Sequence, residues 1–339
     1  MRILKSTAGV HLINILTKHY IIYTNIDKYF NMSLLSIVVP CYNEEESVEN
    51  FFDEIQKTLV GFDYEVIFIN DGSGDSTLEK IRNLADSNPN VKYISFSRNF
   101  GKESAIYAGL VNAKGDLVSL IDADLQHPPS LLIEMIDAIS EGYDVAAARR
   151  VSKKGEPILH ALGSHFFYKL FNIGSDLELV SGATDFRVMT RQVTDAVLEL
   201  SEYNRFSKGI FQWVGFKTKW IEYENIERAA GESTWSVWQL FKYSIEAVIA
   251  FTTVPLSIAI FLGIIISVFA FIYLAFIVVK YLLYSDPVQG FATTMCTILL
   301  LGGIQLLSIG ILGKYIEKTY TETKNRPIFI VKETNIDDR

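Results

Sequence analysis

Residues 34–71 read LLSIVVPCYNEEESVENFFDEIQKTLVGFDYEVIFIND, and the order of patterns in this stretch decides the fold class. Residues 34–39 form a short apolar run rich in β-branched side chains, which suits a strand buried on both faces. A polar turn, Pro40-Cys41-Tyr42-Asn43-Glu44-Glu45, follows it. Over residues 47–59 the apolar positions then recur at helical spacing, and residues 65–70 return to a strand pattern. Strand, helix and strand in so few residues make a crossover between parallel strands. Moving outward, strand patterns at 91–97, 117–121 and 144–148 alternate with helical ones at 76–87, 102–113 and 129–141. The expected fold is therefore α/β, Rossmann-like, with a mostly parallel sheet.

In such sheets, ligands bind beyond the carboxyl ends of the strands. Those ends carry the polar turn after strand one, Asp71-Gly72-Ser73 after strand two and Arg98-Asn99-Phe100-Gly101-Lys102 after strand three. Asp122-Ala123-Asp124-Leu125-Gln126 follows strand four. Asp122 and Asp124 repel each other, and a hard divalent cation completed by phosphate oxygens would compensate them, with Gln126 as a neutral oxygen donor. A dinucleotide dehydrogenase is disfavoured, because Thr77 stands where the third glycine after Gly72 and Gly74 would have to be. No Walker A loop occurs. Two adjacent aspartates do not by themselves flank a glycosidic bond, which weakens a two-carboxylate glycosidase.

The 339 residues allow about two globular units. Asp and Glu total 39 against 31 Lys and Arg, a formal charge of −8, so no nucleic-acid partner is expected. With 49% hydrophobic and 21% charged residues the chain is not disordered. Cys41 and Cys296 cannot make a disulfide framework and read as small apolar residues. The mean hydropathy of +0.22 has a local cause. Residues 256–279 carry no charge, nor do residues 291–313, where Gln305 is the main polar interruption. Each is long enough to cross a bilayer, and transmembrane helices are expected at 256–280 and 291–313. The tail, 314–339, begins with Lys314, Lys318, Lys324 and Arg326, whereas the link at 280–290 carries one lysine and one aspartate. By the positive-inside rule the tail is cytoplasmic and the link external, which puts everything ahead of the first span in the cytoplasm too. Residues 235–251 have helical apolar spacing with Trp235 and Trp238, and are expected to lie in the membrane interface. Residues 1–31 lack a convincing signal peptide, and Met32 reads as the true start.

The run Ile37-Val38-Val39-Pro40-x-Tyr42-Asn43-Glu44-Glu45 resembles the opening of inverting family-2 glycosyltransferases with the GT-A fold. Asp71-Gly72-Ser73-x-Asp75 and Asp122-Ala123-Asp124 are similar to that family's next two motifs. Ser97-Arg98-Asn99-Phe100-Gly101-Lys102, Asp124-Leu125-Gln126-His127-Pro128 and Asp185-Phe186-Arg187 narrow the resemblance to polyprenyl-phosphate glycosyltransferases. These are the bactoprenol glucosyltransferases and, more distantly, the dolichol-phosphate mannose synthases. Arg205-Phe206-x-Lys208-Gly209 and the two spans fit the bactoprenol branch, and no Gln-x-x-Arg-Trp of a processive synthase occurs. The expected organisation is an extension at 1–31, a GT-A domain at 32–234, the interfacial helix, the two spans and the tail.

The resemblance implies a role for each rim residue. Pro40, Tyr42, Asn43, Glu44 and Asp71 would hold the nucleotide of a UDP-sugar, Asp71 by accepting from the uracil ring; its plainer role is a turn residue ahead of Gly72. Asp122 would face ribose or metal, while Asp124 and Gln126 hold Mg²⁺ or Mn²⁺ against the diphosphate. Arg98 and Lys102 would contact the donor, although a lysine that opens a helix is often only solvated. Asp185 would orient the acceptor phosphate or sugar, or else start a helix paired with Arg187 or Arg191. The anionic acceptor needs cations, for which Arg149, Arg150 and Arg228 qualify, the last in a loop with Ser233. His127, His160 and His165 show no metal-ligand spacing and read as structural. The expected reaction is inverting transfer of a hexose, glucose favoured, from a UDP-sugar to undecaprenyl phosphate at the cytoplasmic face of the lipid bilayer. UDP-N-acetylglucosamine is the alternative donor, a silent membrane scaffold the non-enzymatic alternative, and a homo-oligomer the expected assembly.

Overall fold

Strand β1 (Leu35–Cys41) sends Leu35, Ile37, Val39 and Cys41 to one face of a sheet and Val38 to the other, all buried. The alternation of strands and helices thus produces a sheet covered on both sides, as parallel strands require. The computed structural model describes residues 34–151, 180, 182–223, 249, 252–284 and 290–336. Several expectations fall outside these residues: the extension at 1–31, the interfacial helix at 235–251 apart from residue 249, the link at 285–289, His160, His165, Arg228 and Ser233.

After β1 come α1 (Val48–Thr58), β2 (Tyr64–Asn70), α2 (Thr77–Ser87), β3 (Val91–Phe96), α3 (Lys102–Asn112), β4 (Leu117–Leu120), α4 (Leu131–Ser140) and β5 (Val145–Arg150). Each lies within about two residues of its expected position. The chain continues through β6 (Ala183–Thr190), α5 (Arg191–Glu199), α6 (Ser207–Trp213) and β7 (Thr218–Tyr223). It ends in α7 (Val254–Tyr284), α8 (Phe291–Thr323) and β8 (Val331–Thr334).

The eight strands lie in the order β7-β5-β6-β4-β1-β2-β3-β8. Pairs β1–β2, β2–β3, β1–β4 and β5–β7 are parallel, while β6 runs antiparallel between β4 and β5, and β8 antiparallel along β3. Six strands therefore deliver their C-terminal ends to one rim, and the reversed strand β6 begins there. Helices α1 and α4 pack on one face and α3, α5 and α6 on the other. Helix α3 lies hard against β1: a Cβ at Gly109 would stand 2.1 Å from Val38 Cγ1.

Helices α7 and α8 are long and apolar enough to cross a membrane, and neither candidate window is buried against the rest of the protein, unlike a core helix. Helix α8 continues past Gly313 to Thr323. Beyond it the chain returns to the sheet, where Arg82 grips the Glu333 carboxylate through Nε at 2.9 Å and Nη2 at 2.6 Å.

Candidate active site

The rim is built by loops that lock one another. Asn43 takes a left-handed backbone, φ +55°, and its N–H donates to Ser73 Oγ at 3.0 Å while its side-chain oxygen accepts from the Gly74 N–H at 2.9 Å. The Glu44 N–H donates to Thr77 Oγ1 at 2.8 Å, and Glu45 Oε2 accepts from the Ser76 N–H at 2.9 Å. These contacts fasten the turn after β1 to the turn after β2. The Tyr42 ring stands clear of them, half exposed at the rim.

Asp71 is buried, and its carboxylate accepts from the Phe100 N–H at 2.6 Å and the Gly101 N–H at 2.9 Å. Burial pushes its carboxyl up, against the pull of these two donors and of Arg98. It is thus more than a turn residue, since it fixes the backbone just ahead of Lys102. Its neighbour Gly72, φ +66°, lies so close to the same loop that a Cβ would meet the Arg98 carbonyl carbon at 2.4 Å. The Arg98 guanidinium lies over the Phe100 ring, 4.0 Å from its centroid.

Lys102 is the meeting point of the rim. Its Nζ lies 2.7 and 2.9 Å from the two Asp122 oxygens and 2.8 Å from Asp185 Oδ2. Lys102 is thus ion-paired to two carboxylates while its side chain remains 45% exposed. Asp185 does not start a helix either. It sits in β6, whose pairing of Arg187 with Leu120 carries Asp185 past the end of β4 to Asp122. Arg187 Nε donates to the backbone oxygen of Asp185, and Arg191 pairs with Asp195, so neither arginine is its ion-pair partner. Burial alone would raise the Asp185 pKa; Lys102, Lys208 and Arg187 outweigh it and hold the carboxyl well below the usual range. Burial would likewise lower Lys102, but Asp122 and Asp185 push it well above an ordinary lysine.

Asp124 Oδ1 accepts from the Gln126 N–H at 3.1 Å, and Leu125 turns through φ +56° between them. This brings the chain around so that His127 is buried, with Nδ1 2.7 Å from the Tyr223 hydroxyl and Nε2 3.9 Å from Asp122 Oδ2. Burial lowers the His127 pKa, which keeps the imidazole neutral at pH 7. Arg149, on the same rim, lies 3.7 Å from Glu222.

Sequence reasoning assigned no role to Lys208 or Glu103. Lys208, near the start of α6, helps hold the Asp185 carboxyl down, and the Glu103 carboxylate accepts from both the N–H and the hydroxyl of Ser207, tying α6 to α3. The Arg205-Phe206-x-Lys208-Gly209 run was the available signal for Lys208. No periodicity marks Glu103.

Among the described residues, no group of three or more His, Cys, Asp or Glu side chains could hold a metal by itself. Asp122 and Asp124 nevertheless offer hard carboxylate oxygens at one strand end, flanking the buried Ala123. That donor set suits a hard divalent ion that keeps further positions for diphosphate and water.

The glycosyl transferase family 2 model matches residues 36–198. CsbB of Bacillus subtilis (strain 168), named as a glycosyltransferase without a substrate, is 46% identical over 308 residues, 90% of this chain and 93% of its own. The prophage bactoprenol glucosyl transferase homolog of Escherichia coli (strain K12) is 40% identical over 88% of this chain and 98% of its own. The SfII prophage-derived bactoprenol glucosyl transferase of Shigella flexneri is 39% identical over 89% and 98% respectively.

Proposed function

The chain belongs to glycosyl transferase family 2, and from that premise we propose that it moves a hexose, glucose favoured, from a UDP-sugar to a polyprenyl phosphate with inversion at the anomeric carbon. One observation carries the reading: Asp122, just past the end of β4, and Asp185, in the antiparallel neighbour β6, converge on Lys102 at the rim where Asp71 and Asp124 are also found. Relatives named bactoprenol glucosyl transferase support the acceptor class.

In this reading the turn of Pro40, Tyr42, Asn43 and Glu44 holds the nucleotide, with Asp71 accepting from the uracil ring. Asp122, Asp124 and Gln126 would hold Mg²⁺ or Mn²⁺, which when bound offsets the charge that grows on the departing diphosphate. The lipid phosphate is already anionic near pH 7, so no strong base is needed to activate it. Its oxygen attacks the anomeric carbon, the bond from that carbon to the diphosphate breaks, and UDP leaves with the electron pair. Asp185, kept ionised by its lysines, orients the sugar or acceptor rather than abstracting a proton. Arg98 would contact the donor, while Arg149, Arg228 and Ser233 would draw in the acceptor phosphate, arginine being suited to forked phosphate recognition. Helices α7 and α8 anchor the catalytic sheet at the cytoplasmic face of the membrane.

The test is incubation of the purified chain with labelled UDP-glucose, UDP-N-acetylglucosamine and GDP-mannose, each with undecaprenyl phosphate. The expected product is lipid-linked glucose with stoichiometric UDP. Transfer from UDP-N-acetylglucosamine alone would replace the donor, and transfer from GDP-mannose alone would overturn the uridine assignment.

A further inference from the structure

Lys102 occupies a position that elementary electrostatics disfavours. It is the first residue of α3, where the helix dipole presents partial positive charge and acidic side chains are preferred. A lysine is tolerated there because Asp122 and Asp185 neutralise it. Its place is also fixed from behind, since Asp71 holds the N–H groups of Phe100 and Gly101, the two residues that precede it. Chain and charge thus combine to put an ammonium on both oxygens of Asp122, a carboxylate that the proposed function assigns to ribose or metal.

We propose that Lys102 is a built-in counter-cation that competes with the divalent metal for Asp122, so that the metal binds well only together with the donor's diphosphate. The inference rests on the metal assignment made above and adds the order of binding to it. Without nucleotide, a divalent ion at the Asp122–Asp124 pair would stand within a few ångströms of the ammonium and would have to strip it of one partner. When the diphosphate arrives it brings two negative charges. Lys102 can then exchange Asp122 for a phosphate oxygen while keeping Asp185, and the freed Asp122 oxygens face the metal. The same lysine therefore protects the empty rim from carboxylate repulsion, and makes stable metal binding conditional on substrate.

The experiment measures Mn²⁺ binding by the full chain in detergent, by loss of the free-ion electron paramagnetic resonance signal, with and without UDP. Lys102→Met and Lys102→Gln remove the charge by two routes, so that a folding failure of one leaves the other informative. Lys102→Arg retains the charge. Without UDP, each neutral variant should bind Mn²⁺ about tenfold or more tightly than the wild type, the scale expected when a like charge is removed at short range in a partly exposed site. Lys102→Arg should stay weak, and UDP should narrow the gap. Mn²⁺ should also raise the unfolding temperature of the neutral variants more than that of the wild type. Unchanged or weaker nucleotide-free binding by the neutral variants, with wild-type binding intact in UDP, would overturn the competition alone. Absence of Mn²⁺ binding by the wild type even with UDP, or its persistence in Asp124→Ala, would overturn the metal assignment itself.

Discussion

At the residue scale the rim carboxylates divide into two kinds, and substitution should separate them. Asp124 is half-buried and its assigned work is electrostatic, so Asp124→Ala should lower kcat by about 10²–10³-fold, the usual loss when one stabilising group at developing charge is removed. Its unfolding midpoint should fall less than that of Asp71→Ala, since the Asp124 carboxylate accepts from the Gln126 N–H where Asp71 takes two backbone donors. Full activity in EDTA would refute the metal role. Asp71 also carries structure: it is buried and accepts from two backbone N–H groups of the neighbouring loop. Asp71→Ala should therefore raise the UDP-sugar KM and also cost about 2–4 kcal/mol of stability, because two buried donors lose a charged acceptor. An unchanged urea midpoint would contradict the second effect. The depressed pKa of Asp185 has a definite sign in linkage. A carboxylate whose folded pKa lies below its unfolded value of about 4 stabilises the fold above that value, and loses this contribution as pH falls through the folded one. Asp185→Asn should thus be less stable than the wild type at pH 7, and the difference should shrink only below about pH 4. A difference that vanishes between pH 5 and 7 would mean that Asp185 is not held by Lys102.

At the element scale, what could be read in the chain and what could not follow from locality. The five strands and four helices of the first half announce themselves because each strand is buried on both faces and each helix has one apolar side. Strand β6 shows no clear strand pattern in sequence, because Ala183-Thr184-Asp185-Phe186-Arg187 mixes charge into it. Its Arg187 is a buried guanidinium stacked 3.8 Å from the Phe211 ring centroid, which no local rule anticipates. Asp122 was legible as part of an Asp-x-Asp pair, but its partner Lys102 lies 20 residues away in sequence and across the sheet's rim. Strand β8 was equally hidden, being four mostly exposed residues whose role is set by the edge that they cover. That edge matters. Phe329 stacks on Phe96 with ring centroids 5.0 Å apart, and the Ser97 N–H donates to the Ile330 oxygen at 3.0 Å, immediately ahead of the Arg98 to Lys102 loop. Phe329→Ala should cost about 1–2 kcal/mol, since the ring is only partly buried and an aromatic pair adds about 0.5–1.5 kcal/mol beyond its area. It should also raise the donor KM, as the loop loses its support. A stability loss with an unchanged KM would confine β8 to capping the sheet edge.

At the scale of the whole molecule, the two apolar helices and the catalytic sheet constrain each other's placement. The start of α7 is tied to α8 by the Tyr315 hydroxyl, which donates to the Thr252 oxygen at 2.7 Å. The end of α8 docks on the sheet domain: Lys318 Nζ donates to Asn204 Oδ1 at 3.0 Å, and the Glu322 carboxylate accepts from the N–H groups of Tyr203 and Asn204. Strand β8 then joins the sheet. Both sheet-side ends of the helical pair therefore lie on the same side as the active-site rim, and a chain that crosses a bilayer through α7 must return through α8. The proposed polarity rests on charge, because Lys314, Lys318, Lys324 and Arg326 gather at the sheet side while the short link carries little charge. A reporter fused after Arg339 should accordingly report cytoplasm, and a cysteine placed at Asp286 should react with an impermeant maleimide added to intact cells. Labelling at Asp286 only after the membrane is permeabilised, with the C-terminal reporter cytoplasmic, would show that the pair does not span the membrane, and would leave α7 and α8 as a hairpin lying against it. Labelling from outside at both Asp286 and the C-terminus would instead break the pairing of β8 with β3, because a strand of the catalytic sheet cannot sit across the bilayer from the rest.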